Sequence, residues 1–171
     1  LLQFGAEGAL VRSLTPVEAA VAFALGGSVL AVAIPEFVRG LHASRLAEPV
    51  DGLKRIAASA VSVAAAGLAE PAFPPSAPLT PPDVPRGVRA DDPPGAWDQP
   101  TWRALGFGFD HAHAFSFSFE STRTPSLAHF RATAHGDLDG DGVVSTFEIE
   151  GEADANGARI LPGMYVDREV E

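Results

Sequence analysis

The residues best suited to chemistry lie in one acidic stretch, "DLDGDGVVSTFE", from Asp137 to Glu148. Its spacing fits the twelve-position calcium loop. Asp137, Asp139 and Asp141 stand at positions one, three and five, Gly142 at the sharp turn, and Glu148 at twelve. The Val143 carbonyl would serve at position seven, and Ser145 could hold a water at nine. Calcium takes six to eight hard oxygens, and this pattern curls oxygens around one point. The flanking residues alternate like strands rather than helices, so the spacing predicts a metal loop joining two strands. The competing reading is an Asp/Gly-rich hairpin turn without metal. Four carboxylates within twelve residues repel one another unless a cation is present, which favours bound Ca2+.

Other reactive side chains form weaker patterns. His111 and His113 share a strand face, as do His129 and His135, but no Cys or HExxH spacing supports zinc, and the polar face of a sheet is the expected location. No GxSxG, Walker or dinucleotide fingerprint is present, and "GFGF" (106–109) lacks the third glycine and the helix it needs. The sequence therefore predicts no enzyme.

The elements that must carry the loop are strands. "HAFSFSFE" sets Phe115, Phe117 and Phe119 on one face and Ser116 and Ser118 on the other. "AHFRATAH" turns Phe130, Ala132 and Ala134 the same way, and "VVSTFEIE" adds Phe147 and Ile149. Three or four antiparallel strands over 104–171 need a cover for one apolar face. Leu46, Val50, Leu53, Ala57, Ala60 and Ala64 recur at helical spacing and form a stripe that can supply it. Between helix and strands, residues 69–103 are a Pro-rich loop, since each proline removes a donor and fixes φ.

Upstream, the pattern changes. Ala19 to Pro35 is an uncharged run of about 26 Å in helical form, slightly short of the roughly 20 residues usual for a membrane span. Thr15-Pro16-Val17-Glu18 reads as a capping box at its head, with Thr at N-cap and Glu at N3. A small sheet has no interior large enough to surround such a rod, so a membrane is the expected surrounding. The chain carries net charge −10 and no cysteine. From Asp83 onward 16 acidic residues face 7 basic ones, against 6 and 5 before it. That acidic half repels phosphate backbones, so nucleic acid is not an expected partner. Without disulfides, any loop fastening falls to packing or metal.

An uncharged helical run with Glu18 near its start and Pro35 seventeen positions on resembles the N-terminal helix of type IV pilins and type II secretion pseudopilins. The resemblance covers about residues 12–65. It implies an α+β fold: a long N-terminal α-helix, a variable Pro-rich loop, then antiparallel strands forming the small sheet head on which the helix packs. It divides the chain into a leader remnant or extension (1–13), a membrane and filament-core helix (14–38), an amphipathic continuation (39–68), the Pro-rich loop (69–103) and the sheet (104–171). It implies processing by a prepilin peptidase between Ser13 and Leu14, with Ser13 standing where the family usually has Gly. It implies residence in the inner membrane of a Gram-negative-type bacterium, then assembly with itself or other pilin-like subunits into an extracellular or periplasmic filament. Leu14 would offer its free amine to a neighbour's Glu18, and Gly26, Gly27 and Pro35 would loosen the helix inside the polymer. A membrane-tethered monomeric calcium-binding module is the alternative.

Overall fold

The computed structural model describes residues 15–66 and 73–169, with the side chains of several residues between 22 and 45 outside that description. One long helix, α1 (Pro16–Ala66), leads the chain. A short β1 (Ala77–Thr80) and α2 (Pro100–Leu105) follow, then β2 (Phe115–Arg123), β3 (Ala128–Gly136), β4 (Ser145–Asp154), β5 (Gly157–Ile160) and β6 (Tyr165–Asp167). The chain divides after Leu41 into two compact units, so α1 contributes to both.

The six strands among the described residues form one antiparallel sheet in the order β1-β2-β3-β4-β5, with β6 also paired to β4. β3 runs along one edge of β4 from Ala128↔Ala153 to Gly136↔Ser145. The opposite edge of β4 is shared end to end by β5, on Gly151–Asp154, and β6, on Thr146–Glu148. Alternation decides which side chains enter the core: Phe115, Phe117, Phe119, Phe130, Ala132, Ala134, Phe147 and Ile149 are all buried. Leu53, Ile56, Ala57 and Ala60 of α1 join the same cluster, with Leu46, Val50 and Val61 partly buried against it. Gly52 allows the close approach, because a Cβ there would meet the Phe117 ring at 2.7 Å.

The Pro-rich segment adds an edge strand and an aromatic plug. Trp102 of α2 is fully buried and donates its indole N–H to Thr80 Oγ1 at 3.0 Å. Gly106, in the left-handed region at φ 57°, closes α2 through backbone bonds to its last carbonyls.

One expectation is corrected here. The fold is not a long N-terminal helix packed on a small sheet. Among the described residues the sheet has six strands, and the α1 side chains packed on it run from Leu46 to Ala64. The reason lies in the pattern: the one-sided stripe that fits a flat apolar face begins at Leu46, and the earlier run has no such single face. The extra strands come from segments too short to show alternation. Among the described residues no helix is long and apolar enough to cross a membrane; many side chains of the 14–38 segment expected to span one lie outside the described residues.

Candidate functional site

The acidic loop connects β3 to β4, and its backbone is shaped by its own carboxylates. Asp137, only 1 % exposed, accepts the Gly140 N–H on Oδ1 at 2.7 Å and the Gly142 N–H on Oδ2 at 3.0 Å. Asp139 accepts from Asp141 N–H at 3.1 Å, and Asp141 from Val143 N–H at 2.7 Å. Gly140 and Gly142 hold φ of 83° and 93°, values that suit glycine. One oxygen each from Asp137, Asp139 and Asp141 lies within 4.8 Å of the others. Oxygens bound to a single Ca2+ at 2.3–2.6 Å are separated by at most about 5 Å, so this donor set matches one hard cation.

The rest of the twelve-position set is distributed differently. β4 begins at Ser145, so alternation sends positions nine and twelve to opposite faces of the sheet. Ser145 is buried and donates its hydroxyl to the Gly136 carbonyl at 3.0 Å. Glu148 stands on the polar face, with Oε2 3.8 Å from Arg131 Nε. Arg131 also donates to Glu150 at 2.8 Å, and that bond, ahead of all other influences, holds the Glu150 carboxyl below its ordinary range. Val143 follows Gly142 in the turn, half-exposed.

The loop leans on the Pro-rich segment. The Gly87 N–H donates to the Asp137 carbonyl at 2.7 Å. A cavity of about 500 Å³ opens between them, lined by Pro82, Asp83, Val84, Arg86, Asp137, Gly142 and Val144. Asp83 and Asp137 both border this space.

At the head of α1 the capping box is formed. Thr15 N–H and Oγ1 both donate to Glu18 Oε2, at 2.9 and 3.0 Å, and Glu18 N–H donates back to Thr15 Oγ1 at 3.3 Å. Val17, Val21, Phe23 and Leu25 follow with 72, 52, 82 and 64 % of their surface exposed. The helix continues unbroken through Gly26, Gly27 and Pro35. Ser13 and Leu14, the expected processing site, lie outside the described residues.

Two residues carry weight that spacing did not reveal. Glu48 lies off the apolar stripe, yet its carboxylate is 10 % exposed, pairs with Arg89 at 3.0 Å and accepts the Ala114 and Phe115 N–H groups at 2.7 and 3.1 Å. Its partners lie 66 and 67 residues away, so no local signal marks it. His113, expected on the polar face, is fully buried instead, because it precedes β2 and turns under the Pro-rich segment. No protein-family model, curated protein or solved structure matches this chain.

Proposed function

We propose that this chain is a structural, non-enzymatic subunit of a filament of the type IV pilus or pseudopilus kind. The uncharged part of α1 bundles with the same run of neighbouring copies or of related pilin-like subunits. One observation carries the reading: Val17, Val21, Phe23 and Leu25 stand largely exposed on a helix with no charged residue from Ala19 to Pro35. Burying each such side chain is worth about 1.5–3 kcal/mol. Four of them therefore favour association by several kcal/mol, enough to offset much of the entropy lost on docking. The reading rests on this helix and not on the fold of the sheet.

In the assembled state Glu18 retains its bonds to Thr15 and gains the α-amino group of a neighbour whose chain begins at Leu14. A prepilin peptidase cutting between Ser13 and Leu14 supplies that amine. Before assembly the subunit resides at the inner membrane of a Gram-negative-type bacterium; afterwards it belongs to a periplasmic or extracellular polymer. Asp137, Asp139 and Asp141, with the Val143 carbonyl, hold Ca2+ at the β3–β4 turn. When bound, the ion neutralises three crowded carboxylates and stiffens the turn.

The test compares wild type, Glu18→Ala and Thr15→Ala by electron microscopy of the assembled material. Thr15→Ala removes the cap and leaves the carboxylate. Loss of filaments in Glu18→Ala alone supports an intersubunit role. Equal behaviour of the two variants reduces Glu18 to a cap. Isolated surface-displayed particles in wild type overturn the proposal in favour of a tethered monomeric calcium module. Mass spectrometry of the native N-terminus is expected to find a chain beginning at Leu14.

A further inference from the structure

Both ring nitrogens of His113 face oxygen atoms. Nδ1 lies 2.7 Å from the Phe115 carbonyl, and Nε2 lies 2.8 Å from Asp92 Oδ2. A carbonyl has no proton to give, so Nδ1 must be the donor there. A neutral imidazole would then turn a bare lone pair at Nε2 toward a carboxylate, acceptor against acceptor at hydrogen-bond distance. The ring is fully buried and the Asp92 side chain only 9 % exposed, so solvent does not relieve that contact. The arrangement closes when one further proton sits between Nε2 and Oδ2.

From this geometry we infer that His113 and Asp92 form a proton-dependent latch. It is a buried imidazolium–carboxylate pair that fastens the Pro-rich segment over the approach to β2 and releases that segment when the proton is withdrawn.

The surroundings suit a cationic ring. The Phe109 ring stacks on it at 4.4 Å and 22°, an arrangement that favours positive charge over a π face. Asp92 Oδ2 also accepts the Trp97 indole N–H at 2.5 Å, so one oxygen anchors both the histidine and the tryptophan of the segment. From the Pro-rich segment the charged neighbours are Asp91, Asp92 and Arg89. The approach to β2 contributes the exposed Asp110–His111 pair. α1 contributes Glu48, already engaged with Arg89 and two backbone N–H groups.

Loss of the proton leaves either Nδ1 or Nε2 as a lone pair against oxygen, so one of the two bonds must open. The adjoining backbone pair, Ala90 N–H to the His113 carbonyl and His113 N–H to the Ala90 carbonyl, does not titrate. The part set free therefore begins beyond Ala90 and includes Trp97, whose ring packs edge-on against Trp102 and Phe107.

The experiment uses the full chain, ¹⁵N-labelled, in a non-denaturing detergent. Histidine ring spectra, assigned with His113→Gln, are followed with pH alongside hydrogen exchange of the Trp97 indole. The expected result at neutral pH is one histidine with both nitrogens protonated. On raising the pH, that signal should disappear while Trp97 exchange accelerates by about tenfold beyond its intrinsic pH dependence. Asp92→Asn removes the carboxylate charge and should move this step to lower pH; His113→Gln should abolish it. A bare ring nitrogen on His113 at neutral pH in wild type overturns the latch, as does an unchanged Trp97 step in His113→Gln. Should that variant not fold, the wild-type ring spectrum alone decides.

Discussion

Replacing Glu48 tests how α1 is joined to the sheet. Its carboxylate accepts two N–H groups, from half-buried Ala114 and buried Phe115, and faces Arg89 across 3.0 Å. Glu48→Ala strips the acceptor from both. Each buried donor left unsatisfied costs about 1–3 kcal/mol, partly recovered where water reaches Ala114, so a total of about 3 kcal/mol is expected. For a body of this size that corresponds to a fall in Tm of roughly 10 °C. Glu48→Gln keeps an oxygen for the same two donors and loses only the charge, so a loss of about 1 kcal/mol is expected. Arg89→Ala removes a half-exposed partner and should cost under about 1 kcal/mol. Thermal unfolding followed by far-UV circular dichroism measures all three. The reasoning fails if Glu48→Ala costs no more than Arg89→Ala, for the two N–H bonds would then contribute nothing.

Further expectations concern the sheet's polar face and the acidic loop. Glu150 has its carboxyl held below the ordinary carboxylate value of 4.5, first by its hydrogen bond from Arg131. The bond's contribution is therefore present above about pH 4.5 and is lost as pH falls through the lowered value. Wild type should lose more Tm than Arg131→Ala between about pH 5 and pH 3, and equal losses would refute this assignment. Calcium should raise the Tm of the intact chain and a chelator should reverse the rise. Asp137→Asn should blunt the effect, and a calorimetric trace indifferent to both additions would remove the metal site.

The long strands were readable in advance because one face of each carries a run of apolar side chains at every second position, Phe115–Phe119 in β2, Ala128–Ala134 in β3 and Phe147–Ile149 in β4. The Leu46–Ala64 stripe was readable for the same reason, its period matching a helix against a flat surface. β5 and β6, at four and three residues, are too short to show a period. They are specified by the register of β4 rather than by their own composition. Glu148 shows two rules meeting: the twelve-position spacing draws it toward the loop, while strand alternation from Ser145 sends it to the polar face beside Arg131. Strand pairing involves the whole backbone of β4, and a single side chain follows it. Glu48 and His113 were illegible for another reason. Their roles depend on partners brought close only after the sheet and the Pro-rich segment have met.

The arrangement along β4 has a bearing on how the protein meets its neighbours. Two short strands laid end to end, with Pro162–Met164 between them outside either strand, break what would otherwise be a continuous ladder of outward donors and acceptors. At the other margin, Pro78 sits within β1 and Pro81 and Pro82 directly after it, which removes further donors. An incoming extended chain finds no run of more than a few backbone groups to zip onto. Such a sheet resists fibrous stacking even when many copies are crowded together, so contacts between copies must be made by side chains.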